Sequence, residues 1–271
     1  MKSPLASRRG FLLAAGAAAA APVLAQVDVG NASTARNLVP AQQLEVAAAQ
    51  QYTQLLEQAR AKHALAGESH PQLQRLRRIA QRLIPQAGRW NPRAAQWRWE
   101  VNLIGSSSVN AFCMPGGKIA FFSGLVDKLK ITDDEAAMVM GHEMAHALRE
   151  HARARIAKTQ ITGTVASLAA QLLGLGQIGD LAANVGTQLL TLKYSRDDEN
   201  EADLVGLELA ARGGYNPEAS VSLWDKMAQA AAGSGGPAFL SSHPSSPERM
   251  RNLQKNIPRV RGLYEQASAK R

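Results

Sequence analysis

The sequence has one cysteine and few aromatic residues, and its glycine and proline contents are ordinary, so several types of protein are excluded. One cysteine in 271 residues excludes a small disulfide-stapled fold. Aromatic residues make up 5%, and 22 glycines with 12 prolines are far too few for a collagen-like repeat. Hydrophobic residues make up 45%, which is too many for a disordered chain. The remaining class is a globular protein of one or two domains with a substantial core.

Acidic residues are also few, with 22 Asp and Glu against 31 Lys and Arg. A net charge of +9 favours an anionic partner in general terms. However, three of these basic residues lie in the first 25 positions, and many others follow predicted helical faces without interleaved aromatic residues. The mature chain is therefore predicted to have solvated basic faces and no nucleic-acid partner.

The first 25 residues have the order of an export signal, with basic residues, an apolar stretch and small residues before a cleavage site. Lys2, Arg8 and Arg9 precede an alanine-rich run that ends near Ala25. Because Arg8-Arg9 is followed by Gly-Phe-Leu, the twin-arginine type of signal is favoured over an ordinary secretory signal. We therefore expect a periplasmic protein whose signal is cleaved near Ala25.

The rest of the chain is predicted to form a linker over 26–40 and a single domain over 41–271. Within the domain, residues 160–192 are rich in Ala, Leu, Gly and Thr and are expected to form a helical insertion. Polar residues interrupt its apolar run, so a packed helical hairpin is favoured over a membrane span. Peripheral contact with a membrane is the alternative that this insertion leaves open.

Short apolar patterns predict an α+β domain that is mostly helical. Apolar residues at helical spacing predict amphipathic helices over 42–64 and 71–84. Alternating and short apolar runs predict three strands over 96–104, 109–113 and 118–122. These strands are expected to form a small antiparallel sheet.

The strongest motif is His142-Glu143-x-x-His146. It lies on a helix that is predicted to begin with a capping box at Thr132 and to run to about Arg155. Histidines at positions i and i+4 lie on one face of a helix, so both can bind one Zn²⁺. Glu143 stands next to the first ligand and can accept a proton from a water that attacks a carbonyl group.

A hydrolytic zinc site needs a third protein ligand. His151 is nearly half a turn away from His142 in angle, so it is predicted to point to the opposite face. Glu199 and Asp203, in a later acidic stretch, are at i and i+4 and share a face. One of them can bind the metal while the other accepts the second N–H of a ligating histidine. Glu201 is predicted to face away.

Together these motifs resemble the gluzincin peptidase family that includes HtpX, the CAAX prenyl endopeptidases, BepA and LoiP. The resemblance covers about residues 70–255. It rests on the zinc-binding motif above, on the stretch 110–117, on His243-Pro244 with Arg249 after it, and on Ser195-Arg196-x-x-Glu199-x-x-Ala202-Asp203.

The resemblance implies a zincin-like α+β fold with the sheet over the helix of the zinc-binding motif. It also implies one Zn²⁺ per chain, held by His142, His146 and Glu199, with Asp203 orienting a ligand histidine. Glu143 is implied as the general base.

Further residues are implied around this centre. His243 is implied either as a fourth ligand that closes the site or as a donor to the oxyanion, with Arg249 as a second cation there. Asn110, Ala111 and Phe112 are implied as an edge strand that pairs with an extended substrate.

The expected function is a zinc-dependent endopeptidase, a short exported member of the family. Its expected substrates are polypeptides, namely unfolded or misassembled outer-membrane or periplasmic proteins. The alternative is a chaperone-like assembly factor for envelope proteins, whose zinc site is gated by His243.

Overall fold

A computed structural model describes residues 27–161, 192–232 and 237–269 of the chain. The export signal predicted over 1–25 and most of the helical insertion predicted over 160–192 lie outside the described residues. Among the described residues, no helix combines the length and apolar character that crossing a bilayer requires.

The described residues form a mostly helical domain with one small sheet, which confirms the predicted α+β, zincin-like fold class. Three short 3-10 helices cover Thr34–Leu38, Ile84–Arg89 and Pro92–Gln96. The strands are β1 (Glu100–Ile104), β2 (Ala111–Met114) and β3 (Lys118–Phe122). The α-helices are α1 (Ala41–Ala61), α2 (Pro71–Leu83), α3 (Ser123–Leu129), α4 (Asp133–Leu148), α5 (His151–Ile161), α6 (Arg196–Arg212), α7 (Ala219–Ala231), α8 (Ala238–Ser242) and α9 (Pro247–Ser268).

The sheet is mixed, which corrects the prediction that it is entirely antiparallel. Its order is β1-β3-β2. β2 and β3 form an antiparallel hairpin as expected, but β1 pairs in parallel with β3. β2 runs in the direction opposite to β1 without pairing with it, and β3 lies between the two strands. Alternating polarity marks a strand but does not specify its neighbour, so the pattern alone could not determine this order.

This strand order leaves β2 at one edge of the sheet. Among the described residues β2 pairs with β3 alone, so its outer side has no neighbouring strand. One face of the sheet packs in the main core with α2 and α4. The other face packs on α1, where Tyr52, Met114 and Ala120 belong to one buried cluster.

Helix α4 begins as predicted and ends earlier than predicted. The capping box is confirmed, since Glu135 N–H donates to Thr132 Oγ1 at 3.2 Å and Thr132 N–H donates to Glu135 Oε2 at 2.8 Å. The helix ends at Leu148 rather than near Arg155. Glu150 then takes a left-handed backbone conformation with φ of 58°, and α5 starts in a new direction.

Tertiary contacts explain this break. The Asn91 side chain donates to the C=O of Leu148 at 3.1 Å. Arg149, which is buried, donates to Glu201 Oε2 at 2.7 Å and to the C=O of Gly30 at 2.9 Å. These partners lie far away in sequence, so local helix signals could not indicate the end of the helix.

The segment predicted as a linker packs on the domain from residue 27 onward. Val27 and Val39 are buried, and Val27 N–H donates to Glu208 Oε2 on α6 at 3.0 Å. The 3-10 helix Thr34–Leu38 packs on α5. The segment from residue 27 onward therefore docks on the domain instead of forming a free linker, and it does so through isolated valines and several backbone contacts without any periodic pattern.

Helices α4 and α6 cross in direct backbone contact. A Cβ atom added at Gly206 would lie 2.6 Å from the backbone nitrogen of His142, and one added at Gly141 would lie 2.6 Å from the C=O oxygen of Gly206. Two glycines therefore allow an approach that any side chain would block. The crossing places Glu199 and Asp203 of α6 opposite the two histidines of the α4 motif.

Candidate metal centre

Four buried side chains converge at this helix crossing. His142 and His146 come from α4, Glu199 from the first turn of α6, and His243 from the residue after α8. One donor atom from each lies within 4.8 Å of the others. The first turn of α6 is fixed by a second capping box, in which Ser195 and Asp198 bond reciprocally.

The spacing of the donors fits zinc. Zinc binds nitrogen at about 2.0 Å in tetrahedral sites, so its ligand atoms lie about 3.3 Å apart. Nε2 of His142 is 3.1 Å from Nε2 of His146 and 3.5 Å from Glu199 Oε2. Nε2 of His146 is 3.5 Å from Glu199 Oε1. Imidazole and carboxylate are also the donor types that zinc prefers, so these residues fit the metal that the motif predicts.

Asp203 holds the first histidine from behind. His142 Nδ1 lies 3.0 Å from Asp203 Oδ1, so Nδ1–H donates to the carboxylate and Nε2 keeps its lone pair for the metal. The predicted partnership between Asp203 and a ligand histidine is therefore present in the geometry.

Arg249 lies behind the carboxylates, which differs from its expected place beside an oxyanion. Its Nε and Nη2 donate to the two oxygens of Asp203 at 2.6 and 2.8 Å. Its Nη1 lies 2.9 Å from Glu199 Oε2, and its guanidinium packs over the Trp224 ring. The side chain is 4% exposed and its charge is shared by two carboxylates, so Arg249 positions Glu199 and Asp203 rather than standing free beside an oxyanion.

His243 lies inside the donor group. Its Nδ1 is 3.2 Å from His142 Nε2 and 3.0 Å from Glu199 Oε1. Its ring is stacked against Phe239 at a centroid distance of 4.6 Å. His243 thus occupies the place of a fourth protein donor, and its Nε2 faces Glu143 Oε1 at 3.5 Å.

Glu143 lies beside the donors without joining them. It is 3% exposed, and its Oε1 has no hydrogen-bond partner among the described residues. Burial raises the pKa of Glu143 above the usual range of a glutamate, with a smaller opposing effect from His243 and His142. A buried carboxylate with a free oxygen and a raised pKa is a better proton acceptor than an ordinary glutamate.

The donors differ in their protonation. Burial lowers the pKa of His146 well below its usual value, and the neighbouring His142 lowers it further, so His146 is ready to bind a cation. Burial opposes a charge on His142, but hydrogen bonds to Asp203 and Glu199 outweigh it and raise the pKa of His142 to about 9. Zinc must therefore displace a proton from His142 when it binds.

A cleft leads from β2 to this centre. It has a volume of about 170 Å³ and is lined by residues 110–115, Glu143, Tyr194 and His243, among others. The predicted substrate-binding residues Asn110, Ala111 and Phe112 therefore lie at its wall, on the unpaired edge of the sheet.

Sequence reasoning missed two rings that contact the centre. Tyr194 stacks on His146 at a centroid distance of 3.9 Å. His151 Nδ1 lies 3.0 Å from His146 Nδ1, although a continuous helix would have pointed His151 to the opposite face. The break after Leu148 redirects it. Glu201 is outside the donor group as predicted, but it contacts His151 instead of solvent alone.

A motif helix with two histidine donors, facing a second helix with a glutamate donor, defines a gluzincin type of metal centre. Residues 70–257 match the model of Peptidase family M48, so the chain belongs to this family. The metal that the centre binds is zinc.

Three relatives of this chain are named as metalloendopeptidases or metalloproteases. The chain is 36% identical over 192 residues to "Mitochondrial metalloendopeptidase OMA1" of Schizosaccharomyces pombe, covering 70% of this chain and 54% of that protein. It is 30% identical over 163 residues to "Metalloprotease LoiP" of Escherichia coli, covering 56% of this chain and 60% of LoiP. It is 32% identical over 160 residues to "Metalloprotease YcaL" of Escherichia coli, covering 56% and 59%. The chain thus spans about half the length of these relatives.

Proposed function

We propose that this protein is a zinc-dependent endopeptidase. The observation that carries the proposal is the convergence of His142, His146 and Glu199 beside Glu143, whose Oε1 has no hydrogen-bond partner among the described residues. Its membership of a peptidase family supports the same conclusion. When bound, zinc would act as a Lewis acid toward a carbonyl oxygen and would acidify a water molecule.

Three side chains of the protein then have separate roles in the reaction. Glu143 Oε1 accepts a proton from the attacking water, which its raised pKa favours, and then passes this proton to the leaving amine. Asp203 accepts a hydrogen bond from Nδ1–H of His142, so that the lone pair of Nε2 remains available to the metal. Arg249 holds Asp203 and Glu199 in place.

Substrates are proposed to bind as extended chains along β2. This strand has no neighbour on its outer side among the described residues, so its backbone can pair with a peptide by strand addition when the Asn110 side chain releases the N–H of Ala111. Residues 110–112 would place the scissile bond in the cleft next to Glu143. A folded protein rarely exposes an extended segment, so unfolded or misassembled polypeptides are the proposed substrates.

We further propose that these substrates are outer-membrane or periplasmic proteins. The order of basic, apolar and small residues over 1–25 supports export to the periplasm.

A second candidate is a chaperone-like assembly factor for envelope proteins with a gated zinc site. The position of His243 favours it, because Nδ1 lies 3.0 Å from Glu199 Oε1 and within the donor group. A fourth protein donor takes the coordination position that a hydrolytic zinc keeps open for water.

The substitution His243→Ala tests these functions. We expect the variant to keep zinc on three donors and to cleave a denatured outer-membrane protein about tenfold faster than wild type, because an imidazole no longer closes the site. Gel-based time courses with zinc-loaded protein measure this. His63→Asn is the control, since His63 is exposed and its φ of 53° suits asparagine.

Two results would contradict parts of this scheme. Loss of cleavage in His243→Ala would make His243 catalytic rather than a gate. No cleavage by wild type or variant, with suppressed aggregation of the denatured protein, would favour the chaperone-like function over the peptidase.

A further inference from the structure

The two α4 histidines of the metal centre are supported by different groups. Behind His142, the Nδ1 atom meets the carboxylate of Asp203. Behind His146, the Nδ1 atom meets another imidazole, that of His151, at 3.0 Å. Ligand histidines usually donate this second N–H to a carboxylate, a backbone carbonyl or water, so an imidazole partner needs an explanation.

The hydrogen-bond pattern allows one arrangement of protons when His146 binds metal. His146 Nε2 faces the donors, so its proton must be on Nδ1. His151 Nδ1 must then accept that proton, and the proton of neutral His151 must be on Nε2. Nε2 of His151 points to Glu201 Oε2 at 3.3 Å, with Asp198 Oδ1 farther away at 3.9 Å.

Glu201 is held in turn. Its Oε2 accepts from Nε of Arg149 at 2.7 Å, and Arg149 also donates to the C=O of Gly30 at 2.9 Å. His151 is 3% exposed, so both of its ring nitrogens are removed from water. A buried imidazole is costly unless both nitrogens have partners, and here both do.

The backbone is shaped for this contact. His151 is the first residue of α5, and it reaches His146 because α4 stops at Leu148. The turn between the helices passes through Glu150, whose φ of 58° is uncommon for glutamate. The chain thus departs from regular helix at the place where His151 must turn back toward the metal centre.

We propose that His151 is a positioning residue for the zinc site, which fixes the tautomer and the ring orientation of His146, and that Glu201 anchors His151. His142 thus has a carboxylate directly behind it, and His146 has a carboxylate one imidazole farther out. The inference rests on the proposed zinc chemistry of His146, and it concerns metal affinity rather than proton transfer to substrate.

Zinc affinity of the full-length chain, measured by competition with a chromophoric chelator, tests this inference. We expect His151→Leu to bind zinc about 10–100-fold more weakly, because the Nδ1 proton of His146 loses its acceptor. His151→Asn should restore the affinity to within about threefold of wild type, because its Oδ1 can take the place of the imidazole Nδ1. Glu201→Gln should give a smaller loss than His151→Leu, since an acceptor oxygen remains but its charge is removed.

A structural role alone predicts another pattern. Urea unfolding in the presence of a chelator would then show that the His151→Leu and His151→Asn chains are destabilised. The folded fraction of each variant would still bind zinc as wild type does, and this result would overturn the proposal. The absorption spectrum of the Co²⁺-loaded protein gives an independent reading, and it should change in His151→Leu and return in His151→Asn. If His151→Leu does not fold, unchanged affinity in Glu201→Gln together with weakened affinity in His151→Asn would overturn the proposal. A wild-type chain that does not bind zinc would instead contradict the proposed function itself.

Discussion

Replacing Glu143 by Gln is expected to lower the cleavage of denatured protein by about 10²–10⁴-fold and to leave the zinc content unchanged. The amide has nearly the shape of the carboxylate but cannot accept the proton that the reaction must move. Glu143 is not in the donor group, so the metal should stay. A digestion time course with fluorescent casein and metal analysis of the same sample measure both quantities.

Two further variants serve as controls for this result. Glu57→Gln makes the same chemical change at an exposed position of α1 and should cleave as wild type does. Glu199→Ala removes a proposed donor, so it should lose both zinc and cleavage. Cleavage by zinc-loaded Glu143→Gln at the wild-type rate would rule out Glu143 as the base, and loss of zinc in this variant would place Glu143 among the ligands.

Replacing Gly206 by Ala is expected to destabilise the domain by about 1–3 kcal/mol and to lower zinc occupancy. The new methyl group would lie 2.6 Å from the backbone nitrogen of His142, so α4 and α6 must move apart. The helices carry different donors, and their separation would spread the group that binds the metal. Urea unfolding with chelator measures the stability, and metal analysis measures the occupancy.

The direction of this effect is informative, because alanine is normally the better helix former by about 0.5–1 kcal/mol. Gly262→Ala is the matched control, since Gly262 lies in helix α9 and a Cβ there meets no atom within 4 Å. It should stabilise the chain slightly. Equal stabilisation by Gly206→Ala would show that the helices are not packed backbone to backbone.

Local spacing identified the candidate donors on the helices, and the family resemblance then assigned Glu199 rather than Asp203 as the third ligand. His142 and His146 share a face whatever surrounds their helix, and the same holds for Glu199 and Asp203. The capping box at Thr132 is equally local, so the start of α4 was predictable. The α+β class follows from the same periodic patterns.

Features set by distant contacts could not be predicted. The end of α4 depends on Asn91 and on the partners of Arg149, so the position of His151 was predicted wrongly. The place of Arg249 depends on how α9 meets α6. The parallel pairing of β1 with β3 depends on which strand fills the centre of the sheet. In each case the position of a side chain or strand depends on a contact with residues that are far away in the sequence.

The dispersed origin of the four donors gives the metal a role in holding the chain together. Glu199 and His243 are 44 residues apart, and α4 contributes two more donors from still farther upstream. With a single cysteine, the chain cannot form an intramolecular disulfide. A bound zinc would therefore join these distant segments only while the chain is folded, and because the metal is released on unfolding, its binding free energy would add to the stability of the folded state. The supply of metal would then determine the stability of the folded protein as well as its activity.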